Sequence, residues 1–385
     1  MQTLDILERL IAFPTISSDP NRALIDYCAA LLRGAGADVQ IINDPHQDKA
    51  NLYATFGPRD VPGVMLSGHT DVVPVEGQEW SVPPFAMTCA DAKVYGRGAT
   101  DMKGFVACVL AAISKADQSA LKTPLHVALS YDEEIGCLGV RSLIDMLQSA
   151  PIRPRFCIVG EPTLMGVATG HKGKTALRAT CRGREAHSAL APTGLNAIHL
   201  ANDLIHDIRT LQTEVAESGQ QDDDFDVPYT TLHVGKISGG VALNIVPNTC
   251  ALDFEIRNIL EDDPKAVLER LNTRIDARLK SLRDKFPEAA IEIETTNTYP
   301  PLGTEPDADV VGFVKSLTGT NTSFKVAFGT EGGLFSQDLG IATVICGPGS
   351  MAQGHKPDEF VSLDQLRRCD EMLAALIARL SSGGI

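Results

Sequence analysis

Three shortages bound what this 385-residue chain can be: few basic residues, no close pair of cysteines and no long apolar run. Lys and Arg number 34 against 49 Asp and Glu, a formal net charge of −15. A field of that sign repels phosphate backbones and anionic headgroups, which argues against nucleic-acid and membrane-surface roles. The nine cysteines stand apart at 28, 89, 108, 137, 157, 181, 250, 346 and 369, with no Cys-x-x-Cys spacing. Most have apolar neighbours, so they read as small buried hydrophobes in a reducing compartment, not as a disulfide frame or zinc ribbon. No segment approaches the ~18 apolar residues of a membrane span, and no basic stretch followed by an apolar core opens the chain. The expected location is the cytoplasm. Internal repeats and low-complexity tracts are also missing.

What is present is an ordinary globular balance, 44% hydrophobic and 22% charged. At about 150 residues per domain the length suggests two or three domains. The first half alternates helix and strand. Apolar spacing predicts helices over 22–33, 103–116 and 138–147, and strands over 51–56, 63–67, 125–131 and 155–159. Such interleaving predicts an α/β layer structure with a mainly parallel sheet. Between about 175 and 298 the order becomes β-α-β-β-α-β, the ferredoxin-like α+β pattern. The α/β rhythm resumes after Pro300-Pro301 with a helix over 308–317 and a strand over 341–346. The expected organisation is one α/β domain, 1–174 with 299–385, into which a second domain, 175–298, is inserted. The acidic run from Gln220 to Asp226 lacks the spacing and glycine of a calcium loop and reads as a solvated loop.

In open α/β sheets, functional groups collect beyond the carboxyl ends of strands. Those positions here carry His69 and Asp71, then Asp101, then Glu133 and Glu134, then Glu161, and finally His355. Singly, each has a plain reading. A histidine after a strand is often a packed residue, Asp101 could cap the following helix, and Glu133-Glu134 could be loop charge. Together, at five strand ends expected to share one sheet edge, imidazoles and carboxylates match the needs of divalent cations. An extended segment would put His69 and Asp71 on one face, where the Asp71 carboxylate could accept the second ring N–H of His69. Gly96-x-Gly98 lacks a third glycine and a flanking strand-to-helix unit, which argues against a dinucleotide site.

Four segments carry a family resemblance: Ser67-Gly68-His69-Thr70-Asp71, Gly96-Arg97-Gly98-Ala99-Thr100-Asp101-Met102-Lys103-Gly104, Asp132-Glu133-Glu134-Ile135-Gly136 and Gly160-Glu161-Pro162-Thr163. They resemble the zinc-dependent peptidases and deacylases that include acetylornithine deacetylase, succinyl-diaminopimelate desuccinylase, aminoacylase and glutamate carboxypeptidase. The resemblance implies two divalent metal ions, zinc or else cobalt, bridged by Asp101. His69 and Glu161 would complete one position and Glu134 and His355 the other. It further implies Glu133 as general base, Asp71 as the partner of His69, and a cis peptide at Asp101-Met102.

In the insert, the segments Gly183–Ala189 and Gly194–Ile198 resemble the family's lid and dimerisation domain, and Gly239–Pro247 and Phe254–Arg257 resemble its substrate-binding segments. They imply a homodimer in which His187 reaches the oxyanion of the neighbouring site, with Asn244 and Arg257 binding substrate. The segments Phe328–Phe335 and Gly347–Phe360 most resemble the branch acting on N2-acetyl-L-ornithine in arginine biosynthesis. Glu331 is then expected to face the substrate's cationic side chain. Succinylated or other N-acyl amino acids are the alternative substrates, and a non-catalytic metal-binding scaffold is the remote alternative.

Overall fold

The computed structural model describes residues 1–384. They divide into two compact units: Met1–Gly170 with Leu302–Lys325 and the stretch from Thr330 onward, and His171–Pro301 with Val326–Gly329.

The first unit is built on one large sheet whose strand order runs Asp38–Asn43, Ala50–Phe56, Leu125–Ser130, Val64–His69, Phe156–Val159, Ala342–Ile345, Val167–His171 and Leu302–Gly303. The four central strands, from Leu125–Ser130 to Ala342–Ile345, are mutually parallel. The strands flanking them pair antiparallel. Val64–His69 and Leu125–Ser130 are buried at every position. Such runs can only sit where layers cover both faces, which is why these sequences are apolar without alternation. Helix Lys103–Lys115 is nearly as enclosed and packs against Thr3–Ile11 and Leu363–Ser382. Phe105 of that helix lies against Gly160, where any Cβ would enter the phenyl ring. Gly160 therefore lets the helix close onto the strand end that delivers Glu161.

One expectation needs correcting here. The strand that precedes Asp101, Lys93–Tyr95, is not at the edge of the main sheet. It pairs with Thr88–Ala90 and Phe360–Ser362 in a separate three-stranded sheet. Asp101 reaches the site as part of a loop entering helix Lys103–Lys115.

The second unit is a four-stranded antiparallel sheet in the order Thr231–Gly239, Thr249–Arg257, Lys174–Arg182, Ala290–Tyr299. Its chain order and strand order are those of the ferredoxin-like pattern. Burial alternates along Lys174–Arg182, one face turned toward a core that includes Leu177, Leu204, Ile208, Leu252, Phe254 and Leu271. Helices Ala197–Ser218 and Pro264–Arg283 supply the other half of that core. Asn196 caps the first through its side chain, and Asp263 with Pro264 starts the second.

Eight of the nine cysteines are buried, Cys89 alone is exposed, and all are free thiols. Among the described residues no helix is long and apolar enough to cross a membrane.

Because Phe105 fills the gap left by Gly160, Phe105→Ala is expected to cost ~3–5 kcal/mol of stability, with the large cavity penalty of a buried aromatic. Urea unfolding measures it, and an unchanged midpoint would show that the gap collapses.

Candidate metal centre

His69 ends strand Val64–His69 and is buried. Its Nε2 stands 3.0 Å from Asp101 Oδ1 and 3.6 Å from Glu161 Oε1. Its Nδ1 donates to the main-chain carbonyl of Asp71 at 2.9 Å, while the Asp71 carboxylate is farther away at 3.5 Å. The Asp71 carboxylate thus stays within ion-pair distance of the expected ring nitrogen, while the shorter bond goes to the Asp71 carbonyl because the strand ends at His69. A carbonyl can only accept, so Nδ1 keeps its proton and Nε2 is the atom free to change partner. The Asp71 carboxylate does other work: it accepts from Ser17 Oγ at 2.7 Å and from the main-chain N–H groups of Glu133 and Glu134 at 3.1 and 3.3 Å.

Asp101 lies between two imidazoles. Its Oδ1 faces His69, and its Oδ2 is 3.1 Å from His355 Nε2. It does not cap the helix, since Met102 holds the cap position without a side-chain bond. The Asp101-Met102 peptide is cis. Glu134 Oε2 is 3.0 Å from the same His355 nitrogen, and Glu134 Oε1 is buried without a hydrogen-bond partner. Two sets of ligand atoms each lie within 4.8 Å of one another: His69, Asp101 and Glu134, and His69, Glu133 and Glu161.

The turn carrying Glu133 and Glu134 is held from below by residues to which the sequence reading gave no part. Asp132 adopts a left-handed backbone conformation (φ 53°), and its carboxylate pairs with the buried ammonium of Lys49 at 2.6 Å. It also accepts from Ser18 N at 2.9 Å. The Cys137 thiol donates to Glu133 Oε1 at 3.4 Å. Lys49 lies outside every motif, so only the fold could reveal this support.

The electrostatics are those of a site short of positive charge. Burial and the charge of Asp101 push Glu134 up to about 7. Burial raises Glu161 well above its ordinary range, reinforced by Asp101, and raises Glu133 similarly, reinforced by Glu134 and Glu331. Hydrogen bonds to Asp101 and Glu134 raise His355 to about 10. Burial opposes charging of His69, but hydrogen bonds to Asp101 and Asp71 override it and raise its pKa. The orphaned Glu134 oxygen and this mixed set of imidazole and carboxylate donors fit divalent cations. His69, Asp101 and Glu161 could hold one, and Asp101, Glu134 and His355 a second.

Glu331 precedes helix Gly332–Leu339 and is buried, its Oε2 accepting from Ser67 Oγ at 3.2 Å. Burial pushes it up to about 7. In the second unit, His187 is exposed and its Nδ1 accepts from Ala189 N at 3.1 Å, which leaves Nε2 as the proton-bearing nitrogen of the neutral ring. Asn244 is beside it, its carbonyl accepting from Ser188 N at 3.0 Å. Arg257 stands at the far end of strand Thr249–Arg257 from the Asn244 loop. Its Nε donates to Glu255 at 3.0 Å and its Nη1 to the Tyr299 hydroxyl at 2.7 Å.

Residues 65–379 match the family model described as Peptidase family M20/M25/M40. The chain is 35% identical to an acetylornithine deacetylase of Pasteurella multocida (strain Pm70), over 99% of this chain and 98% of that one. It is 35% identical to an acetylornithine deacetylase of Myxococcus xanthus, over 98% and 97%. Among solved structures, an M20 family metallo-carboxypeptidase from Sulfolobus solfataricus superposes with a TM-score of 0.77 at 20% identity, covering 99% of this chain and all of that one.

The raised groups fix the sign of a pH dependence. Glu134 and Glu331 hold protons to about 7 when folded but lose them nearer the ordinary carboxylate range when unfolded, so stability falls as the pH rises through that interval. His355, at about 10 when folded, contributes stability that is complete below the ordinary histidine range and lost as the pH rises through 10. Buried His126 and His171, held down to about 4, and Lys103, held down to about 7, act in the opposite sense. They are outnumbered once the raised Glu133, Glu161 and His69 are included, so chelator-treated protein is expected to show a urea midpoint that declines from about pH 5 to about pH 9. Added divalent cation should flatten that profile. A metal-free midpoint that rises over the same range would contradict the assignment.

Proposed function

This chain belongs to peptidase family M20/M25/M40, and within that family we propose that it hydrolyses N2-acetyl-L-ornithine to L-ornithine and acetate. As a member it is a metal-dependent hydrolase of linear amides. The narrower substrate reading rests on its near-full-length similarity to acetylornithine deacetylases. The observation that carries the chemistry is Asp101, whose two carboxylate oxygens face His69 and His355 separately while Glu133 stands beside the same cluster.

His69, Asp101 and Glu161 are assigned to one cation, and Asp101, Glu134 and His355 to the other, with zinc or cobalt suiting the donor set. Divalent cations there would polarise the amide carbonyl and lower the pKa of the attacking water. Glu133 is the general base: it takes the proton from that water and returns it to the departing amine. Asp71, holding the N–H groups of Glu133 and Glu134, and Cys137, on the Glu133 carboxylate, keep this base in place. Arg257 carries the planar fork that matches a substrate carboxylate, with Glu255 as its resting partner. Asn244 is assigned to the same substrate, and Glu331 to its cationic side chain.

The second unit is read as the lid and dimerisation domain. Strand Thr231–Gly239 is an open sheet edge, and the following loop exposes Val241 and Leu243. An exposed edge beside large apolar side chains is what a second copy of the chain would cover. In that homodimer, His187 would donate its Nε2 proton to the developing oxyanion of the neighbouring site. The cytoplasm remains the expected location.

The deciding experiment is a panel of N-acetyl and N-succinyl amino acids on zinc- or cobalt-reconstituted protein. N2-acetyl-L-ornithine should give the highest kcat/KM, preference for a succinylated substrate would move the chain to another branch, and no hydrolysis at all would leave a scaffold. Glu133→Ala should lower kcat by at least ~10²–10⁴-fold with metal content unchanged. Loss of metal would make Glu133 a ligand instead. Mixing Glu133→Ala with His187→Ala protein should recover part of the activity if His187 acts across a dimer, and no recovery would count against that role. Glu331→Gln should narrow the preference for acetylornithine over neutral N-acetyl amino acids, and equal loss for both would remove Glu331 from substrate recognition.

A further inference from the structure

Outside the proposed ligand set lies a second buried charge cluster. Arg97 and Glu359 are both almost fully buried, and Arg97 Nη1 donates to Glu359 Oε2 at 2.7 Å. The Glu359 carboxylate also grips the loop that ends in Asp101. Its Oε2 accepts from Gly98 N at 3.1 Å, and its Oε1 accepts from Thr100 N at 2.9 Å and Asp101 N at 3.1 Å. Three main-chain donors on one carboxylate make a concave anion cradle, here filled by the protein's own side chain. Its acceptor oxygens are fully engaged, and Asp101's amide has its position set by it.

The arginine faces the other ligand. Arg97 Nη1 reaches the Lys356 carbonyl at 3.4 Å, and Nη2 donates to Gln78 Oε1 at 2.5 Å. Gln78 Nε2 in turn donates to the carbonyl of His355 at 3.1 Å. Trp80 closes the group, with Arg97 5.0 Å over its ring and its indole N–H on Gln78 Oε1 at 3.0 Å. His355 is half-exposed, sits in a left-handed conformation (φ 60°) and belongs to a loop with no strand to hold it. Its main chain is therefore located by this network. Arg97 lies four residues before Asp101, and Glu359 four residues after His355, so one ion pair ties the two ligand loops together.

We propose that Arg97, Glu359 and Gln78 form a positioning unit that sets the spacing of Asp101 and His355 and thereby the affinity of the cation position these two share with Glu134. The inference rests on the reading that Asp101 and His355 hold a cation. The effect is selective. His69 and Glu161, which complete the other position, sit at or just past the ends of main-sheet strands, whereas Asp101 is common to both positions, so the link that acts on one position alone is that from Gln78 to the His355 carbonyl. A buried ion pair contributes little to stability compared with apolar packing of the same volume, so its value here lies in the geometry it imposes.

The test is calorimetric titration of full-length, chelator-stripped protein with zinc, where the native chain should show two binding events. Gln78→Ala removes the link to His355 and is expected to weaken one event about 10–100-fold while leaving the other unchanged, the scale typical of groups that orient metal ligands. Glu359→Gln should weaken the same event further and, through the shared Asp101, the other to a smaller degree, because an amide NH₂ would face Arg97 and Gly98 N–H where a carboxylate oxygen accepts. Two events of native affinity in Gln78→Ala overturn the proposal, as does equal weakening of both; should Glu359→Gln fail to fold, Gln78→Ala alone decides. His355→Ala separates the two levels of the argument. If it leaves both events intact, the ligand reading fails. If it abolishes one event while Gln78→Ala changes nothing, only the positioning role fails.

Discussion

Buried like charge is the constraint around which the first unit is arranged. Asp71, Asp101, Glu161, Glu331 and Glu359 are all buried within it, with Glu134 close behind. Of the fixed cations near them, Arg97 pairs with Glu359 alone, Lys49 is committed to Asp132, and the buried Lys103 donates to the carbonyl of Phe13. Gathering carboxylates out of water costs several kcal/mol per ion unless positive charge offsets it. The fold tolerates the arrangement because rigid elements hold each group, and because imidazoles and cations can neutralise what remains. Parallel strands ending together, a helix entering beside them and a loop tied down by Glu359 all serve one small volume.

Much of this was legible in the chain because the signals are local. Continuous apolar runs mark the central strands, and the β-α-β-β-α-β order marks the second unit. The shorter or half-exposed strands were not legible. Asp38–Asn43 has no buried position, and Leu302–Gly303 is two residues long, so neither carries a usable period. Helix Gly332–Leu339 begins with two glycines, which mask it. Helix Leu363–Ser382 does carry a local signal: Ser362 caps it, and Leu366, Cys369, Met372, Leu373, Leu376 and Leu380 keep helical spacing.

For the site, residue type and strand-end position identified His69, Asp101, Glu133, Glu134, Glu161 and His355 as a group, and the structure brings them together. What spacing could not give is which atom meets which. The separation of His69 and Asp71 suggests a carboxylate partner, and the turn out of the strand adds a carbonyl that lies nearer still. Asp101 was placed on the main sheet because a strand precedes it, yet that strand belongs elsewhere. Lys49 and Glu359 act through contacts 83 and 258 residues away in sequence, distances at which no local pattern speaks. The residues assigned to substrate in the second unit lie on an exposed loop and at a strand end, a less constrained setting than the buried cluster.

Trp80 is the chain's single tryptophan, and it is stacked under Arg97 with its indole bonded to Gln78. All intrinsic indole fluorescence therefore originates in the segment that locates His355. Its emission maximum and quenching therefore report on the packing of Trp80 against Arg97 and Gln78. The protein thus carries an optical gauge of one half of its cation site, readable without a label while the other half is varied.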